Sequence, residues 1–561
     1  MIYPDNFEQK IGIDTIRQYV TEKCLGTMGE ERVKAMSFSS DFTVVLHRLE
    51  QTAEFLRIVK DKEDFPAENF IDMCPCLRRV QQDKTVWLNE QEIMGLGDSL
   101  GTVENIVRFF RQAKEKGNPR YPVLSAMAEE VKTFPDLAEK AGRLVDRTGQ
   151  LKDSASRLLA DIRKEKAELK KEVARSMQTA LRNAQMSGII SRDTKPNMRD
   201  GHMVIPVDAA NKRKIKGVIH SGSGSGKTFY IEPEEVVAAN RKLQEAESAE
   251  RRETVKILIG FTELVRPHID ALVATYAYLG DIDFIRAKAL FAHRIHAVCP
   301  TVEDKPQVQW RQAVHPLLNI SLLMQKRKAH PLDIRLDESD RILIVSGANA
   351  GGKFLCLKTV ALLQYMLQCG LLIPVDERSR AGIFEHILVD IGDGQSIENS
   401  LSTYTAHLNN MKLFVEHCND RSLILIDEFG SGTEPQIGGA IAEALLERFN
   451  GKRSFGVITT HFQNLKQLAY ATEGLVNGAM LYDAERMQPL YTLAIGIPGS
   501  SFATEVARRI GLPEDIIAEA SAKLGKEYVD MENHLQQLIH ERLREERTNE
   551  PIHDGLAKTR L

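Results

Sequence analysis

The chain has 561 residues, too many for one hydrophobic core, and its 43% hydrophobic and 27% charged residues are typical of a globular protein. Its net charge of −4 excludes an overall attraction to nucleic acid, so any such contact must come from local basic surface. The sequence has neither an apolar run of about 18 residues nor the pattern of a secretory leader, so we expect a cytoplasmic protein without membrane contact.

The N-terminal part of the chain, residues 1–150, has the pattern of helices separated by short breaks. Ile16, Val20 and Cys24 fall on one helical face, and apolar residues continue at helical spacing from residue 44 to residue 59. This region is therefore predicted to form a helical core domain.

Two long helical patterns then enclose a short β-like region. Residues 151–184 are highly charged and lack glycine and proline, and a second charged helix is predicted for residues 233–266. Short apolar runs alternate with turn residues over residues 188–231, which predicts a small sheet. Residues 151–295 are thus predicted to form two lever helices that cross solvent and carry a small clamp head at about 188–231.

The C-terminal half has a different organisation. Residues 296–522 alternate apolar strands with amphipathic helices, an order typical of an α/β domain with a largely parallel sheet. Residues 523–561 begin as a charged, coiled-coil-like helix and then lose this pattern, so we expect a partly disordered tail. The predicted fold class is an α/β domain with a parallel-rich sheet, preceded by a mainly α-helical core and lever region with a small β-containing clamp.

A glycine-rich loop separates an apolar strand from a helical pattern within the α/β domain. Its G-x-x-x-x-G-K spacing is that of a P-loop, in which backbone N–H groups and a helix N-terminus hold phosphate oxygens. We expect this loop to bind ATP with Mg²⁺. The predicted nucleotide-binding residues are Gly347, Ala348, Asn349, Ala350, Gly351, Gly352, Lys353 and Phe354.

The last position of this loop is anomalous. P-loops place serine or threonine after the lysine because its hydroxyl ligates Mg²⁺, and Phe354 stands there instead. A further water could take that coordination position, whereas Thr359 lies too far along the helix to do so. We therefore expect ATP binding to survive and hydrolysis to be weak or lost.

Two further strand ends carry residues of matching chemistry. The apolar run 423–426 ends in Asp427, a predicted Mg²⁺ ligand, and in Glu428, a predicted general base for hydrolysis. The run 457–460 ends in His461, which we expect to sense the γ-phosphate or to position water. The predicted catalytic residues are thus Glu428 and His461.

Together, the loop and segments 426–435 and 459–461 resemble the MutS family of DNA-binding ATPases, and most closely the type-two branch of bacterial MutS paralogues. The likeness extends over residues from about 10 to 530. It implies an ABC-like P-loop ATPase and a homodimer in which Ser402 and Thr403 of one subunit contact the γ-phosphate bound by the other. On sequence alone, these two residues are also ordinary helix N-cap residues.

The clamp head is locally basic, with eight lysines and arginines against three aspartates over residues 188–231, a net charge of +5. Such a cluster would hold nucleic-acid phosphates without reading sequence, and the resemblance implies that paired arms clamp DNA here. The alternative is a solvated surface cluster. The candidate DNA-binding residues are Arg192, Lys195, Arg199, Lys212, Arg213, Lys214 and Lys216.

The resemblance leaves three functions open. The first is an ATP-dependent dimeric clamp on branched or recombination DNA that suppresses homologous recombination. The second is a ribosome-associated ATPase, in contact with rRNA, that acts on stalled or collided ribosomes, and the third is a nucleotide-binding scaffold without hydrolysis. The mismatch-recognition module of the repair branch has no counterpart, and the sequence stops at Leu561, before the Smr nuclease domain usual in this branch. The sequence therefore gives poor support for the endonuclease activity of the branch, and the chain is either a truncated form or one that works without cutting.

Overall fold

The computed structural model describes residues 1–115, 120–199, 201–222, 226–348, 351–392, 403–483, 488–500 and 510–524, together with Thr504, Ala507 and Arg508. Contacts divide the chain into two compact units. The first comprises residues 1–65, 110–128 and 280–561, and the second comprises residues 66–109 and 129–279. This division differs from the predicted one, which placed the whole of residues 1–150 in one helical domain.

Helices make up the elements between residues 7 and 186 of the described chain, and helices and strands alternate from residue 301 onward. The helices are α1 Phe7–Ile11, α2 Ile13–Thr21, α3 Thr27–Lys34, α4 Phe42–Lys60, α5 Cys74–Gln82, α6 Glu90–Glu115, α7 Pro122–Glu129, α8 Pro135–Leu144, α9 Arg157–Met186, α10 Glu234–Val265, α11 Ile269–Arg294, α12 Pro316–Met324, α13 Lys353–Gln368, α14 Thr403–His417, α15 Pro435–Gly451, α16 Gln463–Ala471 and α17 Glu514–Leu524. The strands are β1 Ile2–Tyr3, β2 Asn197–Arg199, β3 His202–Asp208, β4 Gly217–Gly222, β5 Thr228–Pro233, β6 Thr301–Glu303, β7 Val308–Ala313, β8 Leu332–Leu336, β9 Asp340–Ser346, β10 Arg380–Gly382, β11 His386–Asp390, β12 Ser422–Ile426, β13 Phe455–Thr459, β14 Gly474–Asp483 and β15 Gln488–Ile495. Among these described helices, none combines the length and the apolar character that a membrane crossing requires.

The first unit is built around a seven-stranded sheet with strand order β1-β11-β12-β13-β9-β14-β15. Neighbouring strands are parallel except for the antiparallel pair β14 and β15. Every residue of β12 and β13 is buried, which explains why these runs are continuously apolar and do not alternate with polar residues. The prediction of a mixed α/β fold with a parallel-rich sheet is confirmed.

Helix α13 follows the central strand β9 and lies inside the same core. Thirteen of its 16 residues are buried, so its sequence is apolar around most of its circumference. A helix held in this way fixes the position of its first residue, Lys353.

The extreme N-terminus was not predicted to join this sheet. Ile2 and Tyr3 pair in parallel with Ile387 and Leu388 of β11, and the Tyr3 hydroxyl donates a 2.5 Å hydrogen bond to Asn410. A strand of two residues is too short to show an alternating pattern in the sequence. The prediction therefore assigned these residues to the helical region that follows them.

The second unit contains the two long helices, α9 and α10, which run antiparallel to each other. The Ser156 hydroxyl donates to Glu253 at 2.8 Å, and Arg163 and Lys166 both pair with Glu250. Helix α9 is highly charged, but it also carries a narrow buried stripe that the charged residues flank. The buried residues of α9 are Leu159, Ile162, Leu169, Met177, Ala180 and Ala184.

A four-stranded sheet of order β2-β3-β5-β4 lies between these helices in sequence. All of its neighbouring strands are antiparallel, and strands β3, β4 and β5 contain the three predicted β-like runs. Ile205, Val207 and Ile231 form a small core with Met177 of α9 and Val236 of α10. We keep the name clamp head for residues 188–231.

Candidate nucleotide-binding site

The predicted nucleotide residues meet at one edge of the seven-stranded sheet. Strands β12, β13 and β9 are parallel neighbours in that order, so their carboxyl ends lie side by side. This edge of a parallel sheet, outside the strand ends, is where α/β proteins bind their ligands. The P-loop follows β9, Asp427 follows β12 and Thr460 follows β13.

The described glycines of the loop after β9 have backbone conformations that suit a P-loop. Gly347 and Gly352 have φ angles of +137° and +96°, a region that other residues avoid. A Cβ atom at Gly352 would also lie only 2.8 Å from the ring of Tyr491. Gly352 is the N-cap of α13, so the positive end of that helix opens onto the loop. Asn349 and Ala350 lie outside the described residues.

Lys353 lies at the centre of the site. Its Nζ donates to the carbonyl of Gly347 at 2.9 Å and lies 3.0 Å from Nε2 of His461. Burial lowers the pKa of Lys353 to about 8, although Asp427 and Glu428 favour its charged form. Burial and the nearby lysine cations also lower the pKa of His461, so its neutral ring can accept a hydrogen bond from Nζ of Lys353.

Thr459 couples the two acidic residues to the neighbouring strand. Its hydroxyl donates to Oδ1 of Asp427 at 2.6 Å and accepts from the backbone N–H of Glu428 at 2.8 Å. Glu428 has a left-handed backbone with φ +47°, a conformation that costs a non-glycine residue about 1–3 kcal/mol and persists where surrounding contacts impose it. Sequence reasoning missed this role of Thr459, although its place beside His461 at a strand end was visible.

Phe354 lies on the surface of the first turn of α13. Its residue exposure is 39%, and Nζ of Lys358 lies 4.6 Å from the ring centroid. Thr359 is buried, and its hydroxyl donates to the carbonyl of Leu355 at 2.7 Å, so it does not replace the absent hydroxyl. The loop, Lys353 and Asp427 therefore fit a nucleoside triphosphate and Mg²⁺, with one ligand of the metal supplied by other means.

Gly499 makes two hydrogen bonds next to the residue that precedes the P-loop. Gly499 donates its N–H to the Ser346 hydroxyl at 2.7 Å and accepts a 2.9 Å hydrogen bond from the buried Nζ of Lys466. A Cβ atom at Gly499 would lie 2.5 Å from the carbonyl oxygen of Ser346, so only glycine permits this approach.

An open cleft lies beside Gly352. The rings of His330 and Tyr491 stack at 5.7 Å on one part of it, and burial lowers the pKa of His315 to about 4, which keeps that ring neutral. Its lining is mostly apolar. Sequence reasoning missed this cleft because its lining comes from distant segments, including Leu318, Leu332 and Met480.

Asp390, at the end of the neighbouring strand β11, adds a further carboxylate near the site. His407 and Asn410 of α14 both contact the carboxylate of Asp390, Asn410 at 2.8 Å. The carbonyl of Asp390 accepts the N–H of Asp427 at 2.9 Å, which links α14 to the acidic pair. Of the predicted trans residues, Ser402 lies outside the described residues, and Thr403 begins α14 with a side chain that is not described.

Comparisons with known proteins bear on the family of the chain. Residues 343–527 match the family model for MutS domain V. The chain is 34% identical to Endonuclease MutS2 of Pediococcus pentosaceus over 96% of the chain and 67% of that relative. It is 34% identical to Endonuclease MutS2 of Lacticaseibacillus casei over 97% of the chain and 68% of that relative. The chain therefore belongs to the MutS2 family.

The likeness to other MutS2 proteins has the same extent. Endonuclease MutS2 of a Geobacillus species is 32% identical over 95% of the chain and 67% of that relative. The chain thus spans about two thirds of the length of these relatives. The matched MutS domain V includes Lys353, Asp427, Glu428 and His461. The resemblance inferred from the sequence is confirmed at the level of the family.

The seven candidate DNA-binding residues of this MutS2 chain lie on the clamp head. Six of them are exposed, and Lys212 is half-buried. Two have structural contacts as well, because the guanidinium of Arg199 lies 4.5 Å from the Tyr230 ring and Nζ of Lys212 lies 4.6 Å from the Phe229 ring. The exposed six are Arg192, Lys195, Arg199, Arg213, Lys214 and Lys216.

Proposed function

We propose that this MutS2-family chain is an ATP-dependent DNA-binding protein that works as a homodimer and hydrolyses ATP slowly. The observation that carries the proposal is the position of Lys353, whose Nζ bridges the P-loop carbonyl of Gly347 and the ring of His461 beside Asp427. A buried cation at a helix N-terminus and beside acidic groups is the arrangement that binds phosphates and a divalent metal.

The residues of the site divide the work of binding. The loop amides and the start of α13 would hold the phosphates, Lys353 would contact the outer ones, and the cleft beside Gly352 would take the base. Mg²⁺, when bound, neutralises charge on the outer phosphates. Asp427 would hold it directly or through water, since Thr459 already fixes one of its oxygens.

Hydrolysis would use the two residues at the neighbouring strand ends. Glu428 is exposed at the site and would accept a proton from the attacking water. His461 would orient that water or contact the γ-phosphate once Lys353 turns toward the nucleotide. Phe354 supplies no Mg²⁺ ligand, so metal placement, and with it the rate, is expected to be poor.

A second candidate function rests on Phe354. If the missing ligand abolishes turnover, the chain is a nucleotide-binding scaffold whose state is set by ATP binding alone. The two candidates share the nucleotide site and differ in whether ADP and phosphate appear on incubation with ATP and Mg²⁺.

The dimer and the nucleic-acid target rest on the family and on charge. The basic clamp head suits phosphate contact, and branched or recombination DNA is the proposed target, with suppression of homologous recombination as the role. rRNA in stalled or collided ribosomes would offer the same phosphates and stays an alternative. Binding of the purified chain to four-way DNA junctions and to ribosomes, measured side by side, distinguishes them.

Isothermal titration with ATP and Mg²⁺ tests the nucleotide site directly. We expect one ATP per chain at pH 7, loss of binding in Lys353→Ala, and little change in Lys358→Ala, which removes a lysine from the same helix. Because Lys353 has a pKa of about 8 and phosphate binding favours its charged form, ATP binding should take up protons. The affinity should fall about tenfold between pH 7 and pH 9.

Sedimentation of the same samples tests assembly. We expect ATP to increase the dimer fraction and Lys353→Ala to abolish that increase. An absence of adenine-nucleotide affinity in the unsubstituted chain would contradict the whole proposal, whereas ATP binding without assembly would remove only the dimer.

A further inference from the structure

Three polar side chains converge on one face of the clamp-head sheet. His202 begins β3, Glu232 lies near the end of β5, and His220 lies on β4. Since β5 lies between β3 and β4, the carboxylate is flanked by one imidazole from each neighbouring strand. None of these residues belongs to the basic cluster or to the nucleotide site.

The three ligand atoms are close enough to share one ion. Oε2 of Glu232 lies 2.6 Å from Nε2 of His220 and 3.1 Å from Nδ1 of His202, and all three atoms lie within 4.8 Å of one another. The two imidazole rings stack with centroids 4.3 Å apart. Only 3% of the Glu232 side chain is exposed, so this carboxylate has lost its hydration and needs polar or cationic partners in its place.

Hydrogen bonds within the cluster do not satisfy all of its atoms. Nδ1 of His202 is buried and makes no hydrogen bond, although it faces the carboxylate. A bound cation would be held by the lone pair of this nitrogen together with those of Nε2 of His220 and Oε2 of Glu232.

We propose that His202, His220 and Glu232 form a binding site for a divalent transition-metal ion, with Zn²⁺ as the ion that fits best. Two imidazole nitrogens and one carboxylate oxygen are a donor set typical of zinc with a fourth position for water, whereas Mg²⁺ and Ca²⁺ prefer oxygen ligands alone. Tetrahedral ligands at zinc distances lie about 3.3–3.4 Å apart, so the 2.6 Å and 3.1 Å distances from Oε2 of Glu232 to the two imidazole nitrogens would lengthen by less than about 1 Å.

The surroundings of the cluster support this assignment. Nδ2 of Asn240 on α10 donates a 2.5 Å hydrogen bond to Oε1 of Glu232 and leaves Oε2 directed at the two rings. Carboxylates that ligate metals are commonly held by such a neighbour. A bound ion would cross-link β3, β4 and β5 and would restrain the small sheet that carries the basic residues.

The test uses the full chain after dialysis against EDTA. Titration with Zn²⁺ should show one equivalent bound per chain through this site, and Co²⁺ should give the visible absorption of a tetrahedral ion with nitrogen and oxygen ligands. Hydrogen exchange of β3, β4 and β5 should slow at least severalfold with Zn²⁺ and stay unchanged with Mg²⁺.

Two variants and a control make the assignment specific. His202→Ala removes one ligand and leaves the contact between His220 and Glu232, so the sheet keeps its fold, and Glu232→Gln keeps the side-chain shape. Each should lose the Co²⁺ spectrum and weaken Zn²⁺ binding at least tenfold. His47→Ala, at an exposed histidine of α4, should behave like the unsubstituted chain.

Two results would overturn the site. One is the absence of Zn²⁺ binding by the unsubstituted chain. The other is zinc binding and exchange protection that persist unchanged in both His202→Ala and Glu232→Gln, which would place the ion on other residues. Neither result depends on ATP or DNA, so this inference and the proposed function stand or fall separately.

Discussion

Phe354 contributes little to the stability of the fold where it stands. Its ring is exposed, and the described contact that it makes with a charged group is the approach of Lys358 to 4.6 Å, an interaction worth about 0.5–1 kcal/mol at such sites. The surrounding helix α13 is held by its buried residues. A change at position 354 therefore acts on chemistry at the P-loop and leaves the core intact.

Phe354→Ser should raise the turnover of ATP at least tenfold. The new hydroxyl would follow Lys353 in the first turn of α13, where P-loop proteins place their Mg²⁺ ligand, and better metal placement lowers the barrier to hydrolysis. Phosphate release under saturating ATP and Mg²⁺ measures the effect. Phe354→Ala is the matched control, since it removes the ring without adding a ligand. Equal activation by both variants would mean that the bulk of the ring, and not the missing hydroxyl, limits the rate.

At the scale of elements, the site depends on the contact between the ends of β12 and β13. Thr459 ends β13, and its one hydroxyl serves both Asp427 and the backbone of Glu428 after β12. The left-handed turn at Glu428 is thereby tied to the neighbouring strand. Two strands that slide or splay by a fraction of an ångström would move both acidic groups relative to the P-loop.

Thr459→Val should reduce turnover about tenfold to a hundredfold and change ATP affinity only slightly. Valine keeps the shape of threonine and removes both hydrogen bonds, so Asp427 and Glu428 lose their orientation while the phosphate cradle remains. The change is measured in the Phe354→Ser background, with kcat and ATP binding determined separately. Thr262→Val, at a buried threonine outside the site whose hydroxyl also donates one hydrogen bond and accepts one, controls for stability. A parallel loss of ATP binding would contradict a positioning role for Thr459.

The sequence predicted those elements whose pattern is local and uninterrupted. Strands β9, β12 and β13 are buried on both faces, so each is a continuous apolar run that is easy to recognise in the sequence. Once these strands were recognised, the polar residues at their ends could be predicted as site residues. The prediction missed the cleft beside Gly352, the pairing of β1 with β11 and the buried stripe of α9. Each depends on a partner distant in the chain, and neither period nor propensity reports which partner that is.

At the scale of the whole molecule, charge is separated along the chain. The protein carries −4 overall, whereas the clamp head, over residues 188–231, has eight basic against three acidic residues. A chain of this net charge would be repelled by nucleic acid unless the head faced it. Contact through the head would be driven by release of counterions and would weaken steeply with salt.

Reversing three exposed charges of the head, in the combined variant Arg213→Glu, Lys214→Glu and Lys216→Glu, should weaken junction-DNA binding at least tenfold at moderate salt. Lys212 is left in place because it lies on the Phe229 ring and supports the head. If each of the three contacts one phosphate, the slope of log affinity against log salt should become shallower by about 3. Fluorescence anisotropy across a salt series measures both quantities.

The control variant reverses three exposed lysines in helices outside the head and should leave the slope unchanged. An equal loss of binding in both variants would show that net charge alone governs binding. The control lysines are Lys34, Lys60 and Lys140.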